Sequence, residues 1–153
     1  LGLIAGAPAQ VLGELEARRL CSEELVAIVR HDDPLARPRS IPLRKLARRG
    51  FVMVLQGTFT NGLIVEACRK AGCVPKVLRR LESGEAIREV VRAGLGITIL
   101  PAGYLGMRDP SLRAVRLTQP TPKRDVHVAW DQRSEPSAAT RAFVEELKRA
   151  VQG

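Results

Sequence analysis

The middle of the sequence alternates short apolar runs with amphipathic segments, and this alternation constrains the fold more than any other feature. Residues 51–55 (FVMVL) form a near-continuous apolar run, which is typical of a strand covered on both faces. Residues 61–71 and 83–93 each carry one apolar stripe at helical spacing. Further strand-like runs follow at 74–78 and 97–100. Strand–helix–strand–helix–strand predicts a parallel sheet with crossover helices, and therefore an α/β fold.

Glycine and proline mark the ends of these elements. Gly72 and Gly94 stand where a helix is expected to end in the left-handed conformation. Gly96 is predicted to let the backbone turn closely into the next strand, and Pro101 to end that strand. The segment is not a dinucleotide fingerprint, because its Gly-x-Gly follows a helix and lacks the third glycine.

The flanking regions predict additional strands and one last helix. Strands are predicted at 15–20 and 25–29, separated by a polar break, and again at 114–117 and 126–130. Pro136 is a suitable first-turn residue for the final helix. The predicted apolar stripe of that helix consists of Ala139, Phe143, Leu147, Ala150 and Val151.

The composition argues against several classes of protein. The 153 residues suffice for a core without disulfides, and the odd count of three cysteines favours a reduced, cytosolic chain. No apolar run is long enough to span a membrane. The two histidines, His31 and His127, form no set with metal-ligand spacing, so we expect no metal and no cofactor. The chain lacks GxSxG, P-loop and HExxH motifs, so we expect no enzyme.

The net charge of +9 fits an anionic partner. The arginines are scattered, however, and only 3% of the residues are aromatic, whereas nucleic-acid readers usually add stacking aromatics to their basic surface. A basic surface can serve nucleic acid, an anionic ligand or neither, and direct binding of nucleic acid is the less expected of these. Together with the helix starts described next, the charge suggests a small carboxylate as the ligand.

Ligands of parallel α/β sheets bind beyond the carboxyl ends of the strands. Three loops of the sequence follow strand ends, and hydroxyls with free N–H groups at a helix start favour an anion there. The expected effector-binding residues are Ala5, Gly6, Ala7, Gln56, Gly57, Thr58, Phe59, Thr60, Leu100 and Pro101. The alternative for Thr58 and Thr60 is that each is a plain helix cap.

Several motifs in the correct order resemble the effector-binding domain of LysR-type transcriptional regulators, over nearly all of the chain. The residues that carry the resemblance are Glu82-Ser83, Ile87, the run VVRAGLGI at 90–97, Leu100-Pro101, DPLA at 33–36, Ala71-Gly72 with Pro75, and Ser137-Ala138-Ala139 with Ala142-Phe143 and Leu147. The run ending in GLGITILP is quite specific, whereas the other motifs are weak when taken singly.

The resemblance implies a fold like that of type II periplasmic binding proteins, with two α/β lobes and a cleft that holds a small-molecule inducer. The lobes are expected at 1–31 plus 125–153, which is discontinuous and incomplete, and at 32–124. The resemblance also implies that the full-length protein is a cytoplasmic bacterial regulator that forms a homodimer or tetramer. DNA is expected to bind only through a winged helix-turn-helix that precedes this sequence.

Two further expectations come from comparing the chain with that family. Its peroxide-sensing members carry a cysteine pair, and Cys68 resembles one partner, but Phe59 stands at the position of the other, so thiol sensing of that kind is not expected. A transport-type solute receptor of the same architecture is the alternative function. The sequence upstream distinguishes the two, since a helix-turn-helix indicates a regulator and a signal peptide a receptor.

Overall fold

The computed structural model describes residues 2–6, 15–105, 109–131, 133 and 136–152. Within these residues the chain forms eight strands and three α-helices, joined in places by short 3₁₀ turns. In chain order they are β1 (Gly2–Ala5), β2 (Leu15–Arg30), β3 (Ser40–Pro42), β4 (Gly50–Val54), α1 (Phe59–Lys70), β5 (Lys76–Leu81), α2 (Gly84–Arg92), β6 (Thr98–Pro101), β7 (Leu112–Thr118), β8 (Lys123–Asp131) and α3 (Ala138–Gln152).

The chain divides into two compact units. The first combines Leu1–Glu23 with Arg124–Gly153, and the second is the continuous stretch Glu24–Lys123. The chain therefore passes from one unit to the other inside β2 and again at the start of β8. The sequence expectation assigned residues 24–31 to the discontinuous lobe. In the structure this part of β2 pairs with β6 and β7 inside the second unit.

Strand β2 also differs from the prediction of two short strands. It is one strand of 16 residues, and Cys21, Ser22 and Glu23 continue it instead of breaking it. The first half of β2 lies beside β8, and its second half lies between β6 and β7. Because both halves have neighbours to pair with, the polar residues at its centre are held extended.

In the first unit, β1 pairs antiparallel with β8, and α3 packs on the sheet. Val144 and Leu147 of α3 contact a cluster that contains Leu20, Val128 and Trp130. The predicted stripe was largely wrong, because the buried face of α3 is offset by one residue. Val144 is buried, whereas the predicted core residues Ala139, Phe143, Ala150 and Val151 are exposed.

In the second unit, three neighbouring strands are parallel, as predicted. Phe51 of β4 lies opposite Val77 of β5, and a parallel bridge joins Phe51 to Ile97, directly before β6. The N–H of Val52 donates to the carbonyl of Ile97 at 2.8 Å. The rest of the sheet is mixed, because β2 is antiparallel to β6 and β7, and β3 is parallel to β7.

Strand β4 is apolar throughout because helices cover both of its faces. Phe51 and Met53 pack in a cluster with Ile64 of α1, whereas Val52 packs in a separate cluster with Ile87 of α2. The two clusters contain most of the buried apolar side chains of the second unit. Burial on alternate faces requires every residue of the strand to be apolar, as its sequence indicates.

Gly94 and Gly96 have the roles that their positions predicted. Gly94 has a φ of 79° after the last turn of α2, and the N–H of Leu95 donates back to the carbonyl of Val90 at 3.1 Å. Gly96 has a φ of 136°, and a Cβ there would stand 2.9 Å from the carbonyl oxygen of Gly50. The chain thus needs both glycines to enter β6 alongside β4.

Candidate functional site

The carboxyl ends of β4, β5 and β6 lie at one edge of the second unit's sheet, because these strands are neighbours and parallel. We refer to residues 55–58, 82–83 and 102–105, together with the first turns of α1 and α2, as the carboxyl edge. In parallel sheets this is the edge at which ligands bind. Both helices start here, so their N-terminal N–H groups also lie at this edge.

Thr58 is the cap of α1, and Thr60 is not. The Thr58 hydroxyl accepts from the N–H of Asn61 at 3.2 Å and donates to the carbonyl of Leu55 at 2.9 Å. Among the described residues, no acceptor contacts the N–H groups of Phe59 and Thr60. These two donors and the positive end of the helix dipole are thus available to an anion.

The start of α2 carries a second cap and an aromatic ring. The Ser83 hydroxyl accepts from the N–H of Ala86 at 3.1 Å. Gly84 has no side chain, and a Cβ there would stand 2.4 Å from the ring of Tyr104. Gly84 therefore lets Tyr104, which is 43% exposed, lie over the first turn of α2.

Arg80 supplies a formal positive charge beside the first turn of α1. Its Nη1 donates to Oδ1 of Asn61 at 2.7 Å and to the carbonyl of Val54, the last residue of β4, at 3.2 Å. In the part of the chain that the structure describes, no carboxylate lies within ion-pairing distance of this half-buried guanidinium. The helix start beside it carries partial positive charge, so the local field favours an anion.

A second charged cluster, away from this edge, is neutralised internally. Asp109 accepts from the hydroxyl of Ser111 and from the guanidinium of Arg92, and Arg88 lies 3.6 Å away. The Ser111 hydroxyl and then Arg92 hold the pKa of Asp109 well below its ordinary value. Its side chain is only 9% exposed, so this cluster ties α2 to the segment before β7 and leaves little charge for a ligand.

The two largest of the cavities found among the described residues lie elsewhere, and neither combines free helix starts with an uncompensated cation. One, of about 270 Å³, lies in the first unit beside Trp130, where Arg18 stacks on the indole ring and pairs with Glu16. The other, of about 250 Å³, lies at the opposite edge of the second unit. The charges of this second cavity are already paired, Arg30 with Asp32 and Arg49 with Asp33.

The structure brings together the expected site residues of the second unit. Gln56, Gly57 and Thr58 are exposed at the carboxyl edge, and Phe59 and Thr60 are half-buried in the first turn of α1. Gly57 has a φ of 88°, which a glycine adopts without strain. This loop is thus positioned as the sequence suggested, at the end of β4 and the start of α1.

Leu100 and Pro101 lie at the same edge, but their side chains are buried. Leu100 is 1% exposed and belongs to the cluster under α2. Their backbone pairs with β2, so only the exposed turn after them, at residues 102–104, remains available to a ligand. In the first unit, Ala5 ends β1, and the buried Gly6 donates its N–H to the carbonyl of Asp125 at 3.0 Å. Ala7 lies outside the described residues, and a role for this turn stays a prediction.

Three residues at the carboxyl edge escaped the sequence analysis, namely Arg80, Asn61 and Tyr104. Strand β5 was predicted at 74–78, but it runs from Lys76 to Leu81, which places Arg80 in a strand instead of a loop. Pro75 could have corrected the prediction, because a proline is disfavoured inside a strand and indicates that β5 begins after it. Asn61 is 7% exposed, and a polar residue on the apolar face of α1 is itself a signal.

Within the described residues, no three His, Cys, Asp or Glu side chains come together in a way that would hold a metal ion. The helices described are all too short or too polar to cross a bilayer.

Comparison with known proteins assigns the fold and the family. Residues 1–152 match the LysR substrate-binding domain. GltC, a transcriptional dual regulator of Bacillus subtilis, is 26% identical over 95% of this chain and 48% of its own. YybE, an HTH-type transcriptional regulator of the same species, is 32% identical over 73% of this chain and 38% of its own. The chain thus spans less than half the length of these relatives.

A solved structure agrees with this assignment. The regulatory domain of CcmR from Synechocystis PCC6803, in complex with 2-PG, is 26% identical and superposes with a TM-score of 0.82. The match covers 97% of this chain and 71% of that domain. The chain belongs to the LysR substrate-binding domain family, the effector-binding domains of LysR-type regulators, and it has their type II periplasmic-binding-protein-like α/β fold.

Proposed function

We propose that this domain senses a small carboxylate at the carboxyl edge and that it serves a cytoplasmic bacterial transcriptional regulator. The observation that carries the proposal is the position of Arg80. Its guanidinium lies beside the first turn of α1 and has no carboxylate partner among the residues described. A half-buried cation costs desolvation unless an anion compensates it, and a bound effector would supply that charge.

The groups around Arg80 suit a carboxylate. Within the described part of the chain, the N–H groups of Phe59 and Thr60 have no acceptor, and the Thr60 hydroxyl stands in the same turn. Ser83 begins α2 at the neighbouring strand end, and Tyr104 offers an aromatic surface beside it. In this arrangement the donors of α1 and Arg80 bind the acid group, while Tyr104 contacts the rest of the molecule.

Sensing requires that the effector prefer one conformation of the regulator over another. A ligand that binds one state better shifts the population toward it by no more than its difference in affinity for the two states. We propose that this shift reaches DNA through a helix-turn-helix domain outside the present sequence, in a homodimer or tetramer. The relatives GltC and YybE, both transcriptional regulators, support that assignment over a solute receptor of a transport system. The complex of CcmR with 2-PG supports a small-molecule ligand.

The test is a thermal-shift screen of the chain with small carboxylic acids, each paired with its neutral amide. We expect at least one acid to raise the melting temperature and its amide to have little effect, because the amide lacks the charge that Arg80 binds. Calorimetry then gives the affinity. Arg80→Gln should weaken binding by roughly 10- to 100-fold, the range for a lost charge-assisted hydrogen bond.

Arg79→Gln is the matched control, since Arg79 is the exposed neighbour on the same strand and, among the residues that the structure describes, hydrogen-bonds only to the carbonyl of Leu78. Its affinity for the acid should equal that of the unchanged chain. Equal binding by the acid and the amide, or an affinity that Arg80→Gln leaves unaltered, contradicts the assignment of Arg80.

A further inference from the structure

Helix α1 ends in a six-residue hydrogen-bonded cap that brings two cysteines together. The N–H of Cys73 donates to the carbonyl of Cys68 at 2.9 Å, and the N–H of Gly72 donates to the carbonyl of Arg69 at 3.0 Å. Gly72 provides the left-handed residue, with a φ of 69°. This pair of bonds defines the Schellman motif, which frequently brings the side chains at the positions of Cys68 and Cys73 into contact.

The contact positions of this motif usually hold apolar side chains, and here both hold thiols. Cys68 is 1% exposed inside the cluster under α1, and the half-buried Cys73 packs against the same cluster. Burial and then the adjacent Cys73 thiol raise the pKa of Cys68 to about 12. The two sulfurs are thus neighbours with unequal access to solvent.

We propose that Cys68 and Cys73 form a site of reversible oxidation, which a hydroperoxide converts into a disulfide. The partly accessible Cys73 sulfur attacks the peroxide oxygen, the O–O bond breaks, and Cys73 becomes a sulfenic acid with release of water or an alcohol. The Cys68 sulfur then attacks the Cys73 sulfur, and hydroxide leaves with the Cys68 proton as water. Two thiols lose two electrons and two protons, and the peroxide accepts both.

The pairing follows from the cap, and it does not rest on the proposed effector. Cys21 lies on β2 in the first unit, so it has no part in this motif. Phe59 is the first residue of α1, at the opposite end of the helix, and also has no part. The disulfide would join the last turn of α1 to the segment that enters β5, and so fix the end of the helix whose start forms the candidate site.

Peptide mapping tests the pairing, because trypsin cuts after Arg69 and Lys70, between the two cysteines. The chain is treated with hydrogen peroxide, unfolded in urea with iodoacetamide, and digested. We expect residues 50–69 and 71–76 to appear as one cross-linked species that is lighter by two hydrogen atoms than the separate peptides together. Dithiothreitol should separate them, and Cys21 should be alkylated.

Two variants sharpen the result. Cys21→Ser should retain the cross-link, whereas Cys73→Ser should lack it and leave Cys68 alkylated only after unfolding. The mapping of the unchanged chain is decisive even if a variant folds poorly. The proposal is overturned by a cross-link that includes Cys21, by disulfide-linked dimers as the product, or by sulfinic acid at Cys73 with Cys68 still a free thiol.

Discussion

Arg80 and Asn61 join the edge strand β5 to the first turn of α1 through one charge-assisted hydrogen bond of 2.7 Å. Asn61 is 7% exposed, so little water can replace the guanidinium as partner of its amide oxygen. The same guanidinium closes the end of β4 by its bond to the carbonyl of Val54. The contact therefore organises the start of α1 even before any effector binds.

Replacing Arg80 by leucine should lower the free energy of unfolding by about 1–3 kcal/mol, because Oδ1 of Asn61 is left buried without a donor. Adding Asn61→Leu to that variant should recover part of the loss, since the unsatisfied acceptor is removed. Urea unfolding of both single variants and the double variant measures the coupling. Strict additivity of the two changes would show that the bond is energetically unimportant.

The two threonines at the start of α1 should differ in their effect on stability. Thr58→Ala removes the cap and should lower the free energy of unfolding by about 1 kcal/mol. Thr60→Val should change it by less than about 0.5 kcal/mol, because the Thr60 hydroxyl does not cap the helix. Thermal unfolding without ligand provides the comparison, and a larger loss for Thr60→Val would disprove the capping assignment. Any effect of Thr60→Val on affinity can then be attributed to the ligand.

Gly96→Ala should be severely destabilising. A residue with a side chain is strained at a φ of 136°, and the new Cβ would approach the carbonyl of Gly50 to 2.9 Å. We expect a loss above about 3 kcal/mol, measured by chemical denaturation. Gly62→Ala is the matched control, since a Cβ in that part of α1 meets nothing within 4 Å. That change should stabilise the chain by about 0.5–1 kcal/mol.

The ion pair of Asp109 should give a defined pH dependence. The pKa of Asp109 is lowered on folding, so its contribution is present above the unfolded value near ~4 and is lost as the pH falls. Asp109→Asn should cost about 1–3 kcal/mol at neutral pH, and the difference from the unchanged chain should shrink below about pH 4. Glu89→Gln, at the exposed partner of Arg92, should cost far less. A pH-independent difference for Asp109→Asn would contradict the assignment.

Local patterns were sufficient to predict the central part of the second unit. An apolar run covered on both faces identified β4, and glycines in left-handed conformations fixed the ends of α1 and α2. These features can be predicted from short stretches of sequence, because the backbone conformation or the burial at each position restricts which residue is allowed there. The loop at residues 56–60 was expected at the carboxyl edge because it follows the apolar run of β4 and precedes the apolar stripe of α1.

The features that were missed depend on partners distant in sequence. The polar centre of β2 stays extended only because other strands flank both halves, and the buried face of α3 depends on where Trp130 and Val128 lie. Arg80 belongs to the candidate site because β5 ends three residues later than the apolar run suggested. The spacing of apolar residues within one segment cannot predict such contacts, because they depend on residues elsewhere in the chain.

The continuity of Glu24–Lys123 has a practical consequence for protein engineering. The second unit, with its own apolar clusters, is encoded as one uninterrupted stretch of the gene. The first unit is assembled from the two segments that flank it in sequence. Exchange of this uninterrupted stretch between homologous genes needs only two splice junctions, one within β2 and one at the start of β8. Chimaeras built in this way would transfer the carboxyl edge intact and report which effector preference travels with it.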